Sequence, residues 1–135
     1  MKISSGARIS THVDPQVPPP PNMVPLVRDE LLARACAAVR AGRPDEAESI
    51  LKEADDGLRR HAACLNLLGL VAELRGQWHV ARKMWSLAAR TDAQYQPPRR
   101  NLRRYYELFQ WGRCRECAAF GDEPEFAELP REVPS

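Results

Sequence analysis

The chain has 135 residues, 44% of them hydrophobic and 28% charged, which suits one soluble globular domain with a modest core. A formal net charge of +2 offers no overall attraction for nucleic acid, so such binding would need a local basic cluster. No run of ~18 apolar residues could span a bilayer, and Ile3, Ile9 and Val13 are too scattered to form a signal-peptide core. The four cysteines, Cys36, Cys64, Cys114 and Cys117, are too sparse for a disulfide framework, so a reducing, cytoplasmic setting is expected.

Taken in chain order, residues 1–24 show no periodicity and contain the run Pro18 to Pro21. Consecutive prolines fix φ and remove backbone donors, so this segment reads as a disordered leader with a polyproline II patch. A stiff spacer is the simpler reading, and a ligand for a proline-recognising partner is the other. A first helix is expected from about Pro25 to Ala41, stopped at Gly42. Pro44, followed by Asp45 and Glu46, opens a second helix that ends at Gly57. A third covers about Arg60 to Arg75 and stops at Gly76, and a fourth runs from Trp78 to Arg90. Pro97 and Pro98 open a fifth that ends near Gly112. Nothing alternates in the manner of a strand, so the expected class is all-α.

The helical pattern repeats. Gly42 and Gly76 are 34 residues apart, and so are Ala47 and Ala81, Leu51 and Trp85, Ala54 and Ala88, Leu31 and Leu65, Ala35 and Gly69, and Ala38 and Ala72. A fixed period of this length over two helices and a turn marks a stacked helical repeat. The second unit, Leu65-x2-Leu68-Gly69-x2-Ala72 followed by Ala81-x3-Trp85, resembles the tetratricopeptide repeat family. The first unit is a weaker match, Leu31-x2-Arg34-Ala35-x2-Ala38 followed by Ala47-x3-Leu51, and the family's closing proline is replaced by Arg59 and Ala93. The resemblance spans about residues 28–112. It implies a short α-solenoid of two hairpins plus a C-terminal capping helix, within a helical domain of residues 25–117. Gly69 is then expected to face Ala81 at a close helix crossing, as Ala35 faces Ala47. Leu102, Tyr106 and Phe109 fall on one face of the fifth helix and are expected to pack on the preceding unit, with Arg100, Arg103, Arg104 and Glu107 turned outward.

The resemblance also implies a non-catalytic adaptor or scaffold that binds a peptide or helix of another protein on its concave face. Leu32, Cys36, Val39, Asn66, Leu70, Glu73 and Leu74 would line that face, joined by Arg100, Arg104 and Glu107. No catalytic constellation is visible, and His12, His61 and His79 are isolated. No cofactor is expected. Cys114-x-x-Cys117 could supply half of a tetrahedral zinc site, but without a second pair these residues are read as ordinary thiols. The segment from Pro97 to Cys117 carries six arginines against Glu107 and Glu116, which makes a nucleic-acid-associated or acidic-ligand protein the alternative. Residues 118–135 hold Asp122, Glu123, Glu125, Glu128 and Glu132 against Arg131 and read as an acidic flexible tail. That tail either folds back over Arg100, Arg104 or Arg113 or serves only solubility.

Overall fold

A computed structural model describes residues 23–126, with side chains from Arg28 onward; the leader up to Asn22 and the chain after Phe126 lie outside the described residues. Six helices follow one another: α1 (Met23–Arg40), α2 (Pro44–Leu51), α3 (Asp56–Arg59), α4 (Ala62–Leu74), α5 (Trp78–Thr91) and α6 (Pro97–Trp111), then a 3-10 turn at Pro124–Phe126. Among the described residues there is no strand, and no helix is long and apolar enough to cross a membrane.

The two glycines at the 34-residue spacing do the same job. Gly42 and Gly76 both adopt φ 75°, a left-handed conformation that favours glycine. Gly42 N–H donates to Val39 O at 2.9 Å and Arg43 N–H to Ala38 O at 2.9 Å; the counterparts are Gly76 to Glu73 at 2.9 Å and Gln77 to Ala72 at 2.8 Å. Each pair satisfies helix-end carbonyls and reverses the chain. Thus α1 turns back on α2 and α4 on α5, while α4 also packs on α1 and α2, and α6 packs on α5.

One expected boundary differs. The second helix ends at Leu51, and Gly57 sits inside the separate short α3. The cause is Asp55, whose extended backbone and side-chain oxygen, accepting from Leu58 N–H at 2.8 Å, start a new helix just before the glycine.

The core joins α1, α2, α4 and α5 through Ala35, Val39, Leu51, Leu67, Leu70, Ala81 and Trp85, with Tyr105 of α6 at its edge. Trp85 is fully buried and its indole lies against Gly69. A Cβ built at Gly69 would stand 2.6 Å from Trp85 Cδ1 and 2.9 Å from Cε2, so the atoms nearest that position belong to the indole. The first hairpin has Ala35 and Leu51 at the equivalent places, both buried. A larger residue on one helix is matched by a smaller one on the other, which keeps the local volume near constant.

Helix α6 keeps only part of the expected packing face: Leu102 packs against the core and the Phe109 ring meets Trp78. Its buried residues are Pro97, Pro98, Asn101, Arg104 and Tyr105, whereas Tyr106 and Phe109 are 55% and 59% exposed. Two polar side chains, Asn101 and Arg104, turn inward because hydrogen-bond partners await them there.

Candidate functional site

Those partners come from the chain itself. Gly112 caps α6 in the left-handed region, donating to Leu108 O at 2.8 Å, and the following residues return across α1, α4 and α6. Residues 118–126, read from the sequence as the start of a flexible tail, are packed on this shared face, and Ala119 is fully buried.

The centre of the contact is a pair of asparagines. Asn101 Nδ2 donates to Ala119 O at 2.9 Å, and Ala119 N–H donates to Asn101 Oδ1 at 3.0 Å. Asn66 Nδ2 donates to the same Ala119 carbonyl at 2.9 Å, while Asn66 Oδ1 accepts from Asn101 Nδ2 at 2.8 Å. Arg104 Nη1 completes the set by donating to Asn101 Oδ1 at 2.9 Å. All four hydrogen-bonding positions of the Asn101 amide are therefore used. Both asparagines are fully buried, where an unpaired amide would be costly. Asn66 is held in place by its helix, whose carbonyl at that residue accepts from Trp85 Nε1 at 3.3 Å.

Charged groups frame the clasp. Arg40 makes a two-pronged contact with Asp122, at 2.9 and 2.7 Å, and its guanidinium lies 4.2 Å from the centre of the Phe120 ring. Glu123 accepts from Phe120 N–H at 2.8 Å and Gly121 N–H at 2.9 Å, fixing the turn. Gly121 has φ 109°, and a Cβ there would collide with the Tyr95 hydroxyl. On the other side Arg100 pairs with Glu125 at 2.7 Å and lies 4.7 Å from the Phe126 ring centre. Arg100 and Arg103 also reach Glu116, at 3.9 and 3.2 Å.

These contacts shift several protonation equilibria. The hydrogen bond from Arg40 holds the Asp122 carboxyl below its ordinary range, and the one from Arg100 does the same for Glu125. Burial, reinforced by Asp122, pushes the Cys36 thiol up to about 12; its Sγ donates to Phe120 O at 3.8 Å. Burial likewise raises Cys64, to about 11, and the Tyr95 phenol.

Of the residues expected to line a binding face, Cys36, Asn66 and Arg100 touch the returning segment directly. Arg104 supports Asn101, and Glu73 holds Arg104 with contacts of 2.6 and 3.1 Å, so these two charges neutralise each other. Val39 and Leu70 are core residues, Leu32 is half-buried against that core, and Leu74 is 44% exposed. Glu107 accepts from Arg115 N–H at 3.2 Å. The expected outward direction of Arg100 and Arg104 is corrected: both point into the face, and Arg104 is only 6% exposed. Reading the sequence missed Asn101, Arg40 and Ala119. The repeat register matched Asn66 to Arg100, one residue before the asparagine that completes the clasp; the available signal was a short amide set among arginines and aromatic residues.

Cys114 is half-buried and Cys117 exposed, and both are free thiols. Among the described residues no group of three or more His, Cys, Asp or Glu side chains is placed to hold a metal ion. No protein-family model matches this chain, and neither does any curated protein or solved structure.

Proposed function

We propose that the chain is a non-catalytic protein-interaction module of the tetratricopeptide-repeat kind, a short solenoid of two hairpins and a capping helix that binds an extended peptide on its concave face. In this reading residues 118–126 fill the binding face as an internal ligand, and a partner protein competes for the same place. The observation that carries the proposal is the Asn66–Asn101 clasp. It satisfies both the N–H and the C=O of one residue in a non-helical segment, which is how a helical surface can hold a peptide backbone.

The contacts around the clasp describe a suitable ligand: a small residue where Ala119 is buried, an aromatic one next to it for Arg40, and an acid within three residues. The nucleic-acid alternative is less well supported, because Arg100, Arg103 and Arg104 already face Glu116, Glu125 or Glu73. A cytoplasmic location belongs to the same proposal and is consistent with four free cysteines.

The test uses the full chain carrying Ala119→Pro, which removes the N–H donated to Asn101 and so releases the internal segment. A labelled peptide with the sequence of residues 115–126 should bind this variant at least tenfold more tightly than wild type, because wild type keeps its tethered competitor at an effective concentration in the mM range. Adding Asn66→Ala to the variant should abolish the gain. Equal, negligible peptide binding by wild type and a folded Ala119→Pro variant would refute the proposal.

A further inference from the structure

The end of the molecule formed by α5 and α6 presents a cluster of aromatic rings that the peptide face does not use. Trp78 lies 6.3 Å from Tyr105 and 6.3 Å from Phe109, Tyr105 lies 4.6 Å from Phe109, and Tyr106 lies 5.3 Å from Tyr105. Trp78 stands nearly edge-on to Phe109, at 82°, and Tyr105 to Tyr106, at 81°. Only Tyr105 is buried; Tyr106 and Phe109 are 55% and 59% exposed. Contiguous exposed rings of this kind mark a binding surface more often than a solvated one. Ridges made by angled aromatic rings are the surface that takes up a polyproline II helix, whose locked φ leaves little entropy to lose on docking.

The same chain has a run of four prolines, Pro18 to Pro21, in its sequence. We infer that the aromatic cluster on α5 and α6 docks the Pro18–Pro21 segment of a second copy of this chain, and that two copies exchange these segments reciprocally. Length decides between the chain's own segment and its neighbour's. Helix α1 begins at Met23, and Pro18 stands five residues before it, which allows at most about 18 Å of extended chain. In the stacked-hairpin arrangement proposed above, Tyr105 occupies the level of Ala37, fourteen residues along α1, or about 21 Å up its axis. Two further helix spacings sideways, α1 to α4 and α4 to α6, add about 16–20 Å across. The separation is then about 26–29 Å, beyond the reach of the prolines in the same chain. A second copy has no such limit, and reciprocal docking closes the pair while making the second contact intramolecular.

The experiment is sedimentation velocity on the full chain over a dilution series, with tryptophan emission as a second readout. Wild type should move from one chain towards two as concentration rises, with a blue shift from Trp78. Two variants should each stay at the mass of one chain: Pro18→Ala/Pro19→Ala/Pro20→Ala/Pro21→Ala, altered outside the helical domain, and Tyr106→Ala/Phe109→Ala, altered only at exposed side chains. Mixing them should restore a one-to-one pair, since one supplies the rings and the other the prolines. A single-chain mass for wild type at every concentration overturns the inference, even if a foreign proline-rich peptide binds the rings. Association that survives the proline replacement also overturns it and points to exchange of another segment, such as residues 113–126. Neither variant alters Asn66, Asn101 or Ala119, so failure here leaves the peptide-face proposal standing.

Discussion

Replacing Asn101 with alanine tests the clasp most directly. The substitution removes four hydrogen bonds, at 2.8, 2.9, 2.9 and 3.0 Å, from a fully buried site. Ala119 O keeps its bond from Asn66, but Ala119 N–H, Asn66 Oδ1 and one Arg104 N–H lose their partner. Each buried orphan costs about 1–3 kcal/mol, and because neighbours in one network relax together the total is set at about 3–5 kcal/mol. That is a large part of the ~5–15 kcal/mol that holds a typical domain. Undocking the returning segment is cheaper than unfolding the helices, so the loss should appear first as local opening.

Cys36 reports that opening. Its thiol lies under the Phe120 carbonyl and is pushed up to about 12, so it is protonated at neutral pH while the segment is docked. The thiolate is the reactive species, and alkylation of Cys36 should therefore proceed through the undocked state. At tenfold per 1.4 kcal/mol, Asn101→Ala should speed Cys36 labelling by about a hundredfold or more. Cys64, buried on α4 itself, serves as the internal standard. A Cys36 rate within a factor of about three of wild type, with an unchanged urea midpoint, would refute this account of the network.

Two further outcomes follow from the geometry. Gly69→Ala should destabilise by about 1–3 kcal/mol in urea despite alanine's better helix propensity, because the new Cβ meets the Trp85 indole. Combining it with Trp85→Leu reproduces the Ala35–Leu51 pairing of the first hairpin, so the double variant should be about 1–2 kcal/mol more stable than the two single losses summed, and strict additivity would contradict the proposed complementarity. Acidification should release the segment: Asp122 has a lowered folded-state pKa, so its stabilisation is complete above the ordinary aspartate range and is lost as pH falls through the lowered value, with Glu125 acting in the same direction. The Ala119 amide resonance should lose its docked shift over that acid range in wild type and show a weaker dependence in Asp122→Asn; an equal dependence in both would remove Asp122 from the explanation.

The all-α class and most helix boundaries were legible because they depend on local chemistry. Gly42 and Gly76 stop helices by their own φ, and Pro44 and Pro97 suit a first turn. The volume exchange between Gly69–Trp85 and Ala35–Leu51 was half legible: the spacing drew attention to both positions, but not to the fact that the indole fills the space left by the missing Cβ. Helix α6 defeated periodicity for a different reason. A reading that sorts residues into apolar and polar puts Tyr106 and Phe109 inside, whereas the real inward face includes Asn101 and Arg104. Those residues are buried only because the segment around Ala119, and Glu73 on α4, satisfy them. No local pattern can announce a partner that lies eighteen or thirty-one residues away.

The charge reading failed and succeeded for the same physical reason. The alternation of a basic stretch with an acidic one was visible, and Arg100 does meet Glu125 and Glu116. Yet exposed pairs of this sort are worth only ~0–1 kcal/mol each and would not by themselves order a segment. What distinguishes the docked residues from a merely solvating acidic end is the buried amide network at Ala119, where breaking one bond strands several groups. On the proposed reading this division also sets specificity. The asparagines grip backbone atoms that every peptide has, so they supply affinity without choosing a sequence. Choice must come from the surroundings: the space at Ala119, which admits only a small side chain, and Arg40, which takes both an aromatic ring and an acid. A competing partner must therefore match the flanking residues as well as the backbone, because the internal segment already satisfies the clasp at a high effective concentration.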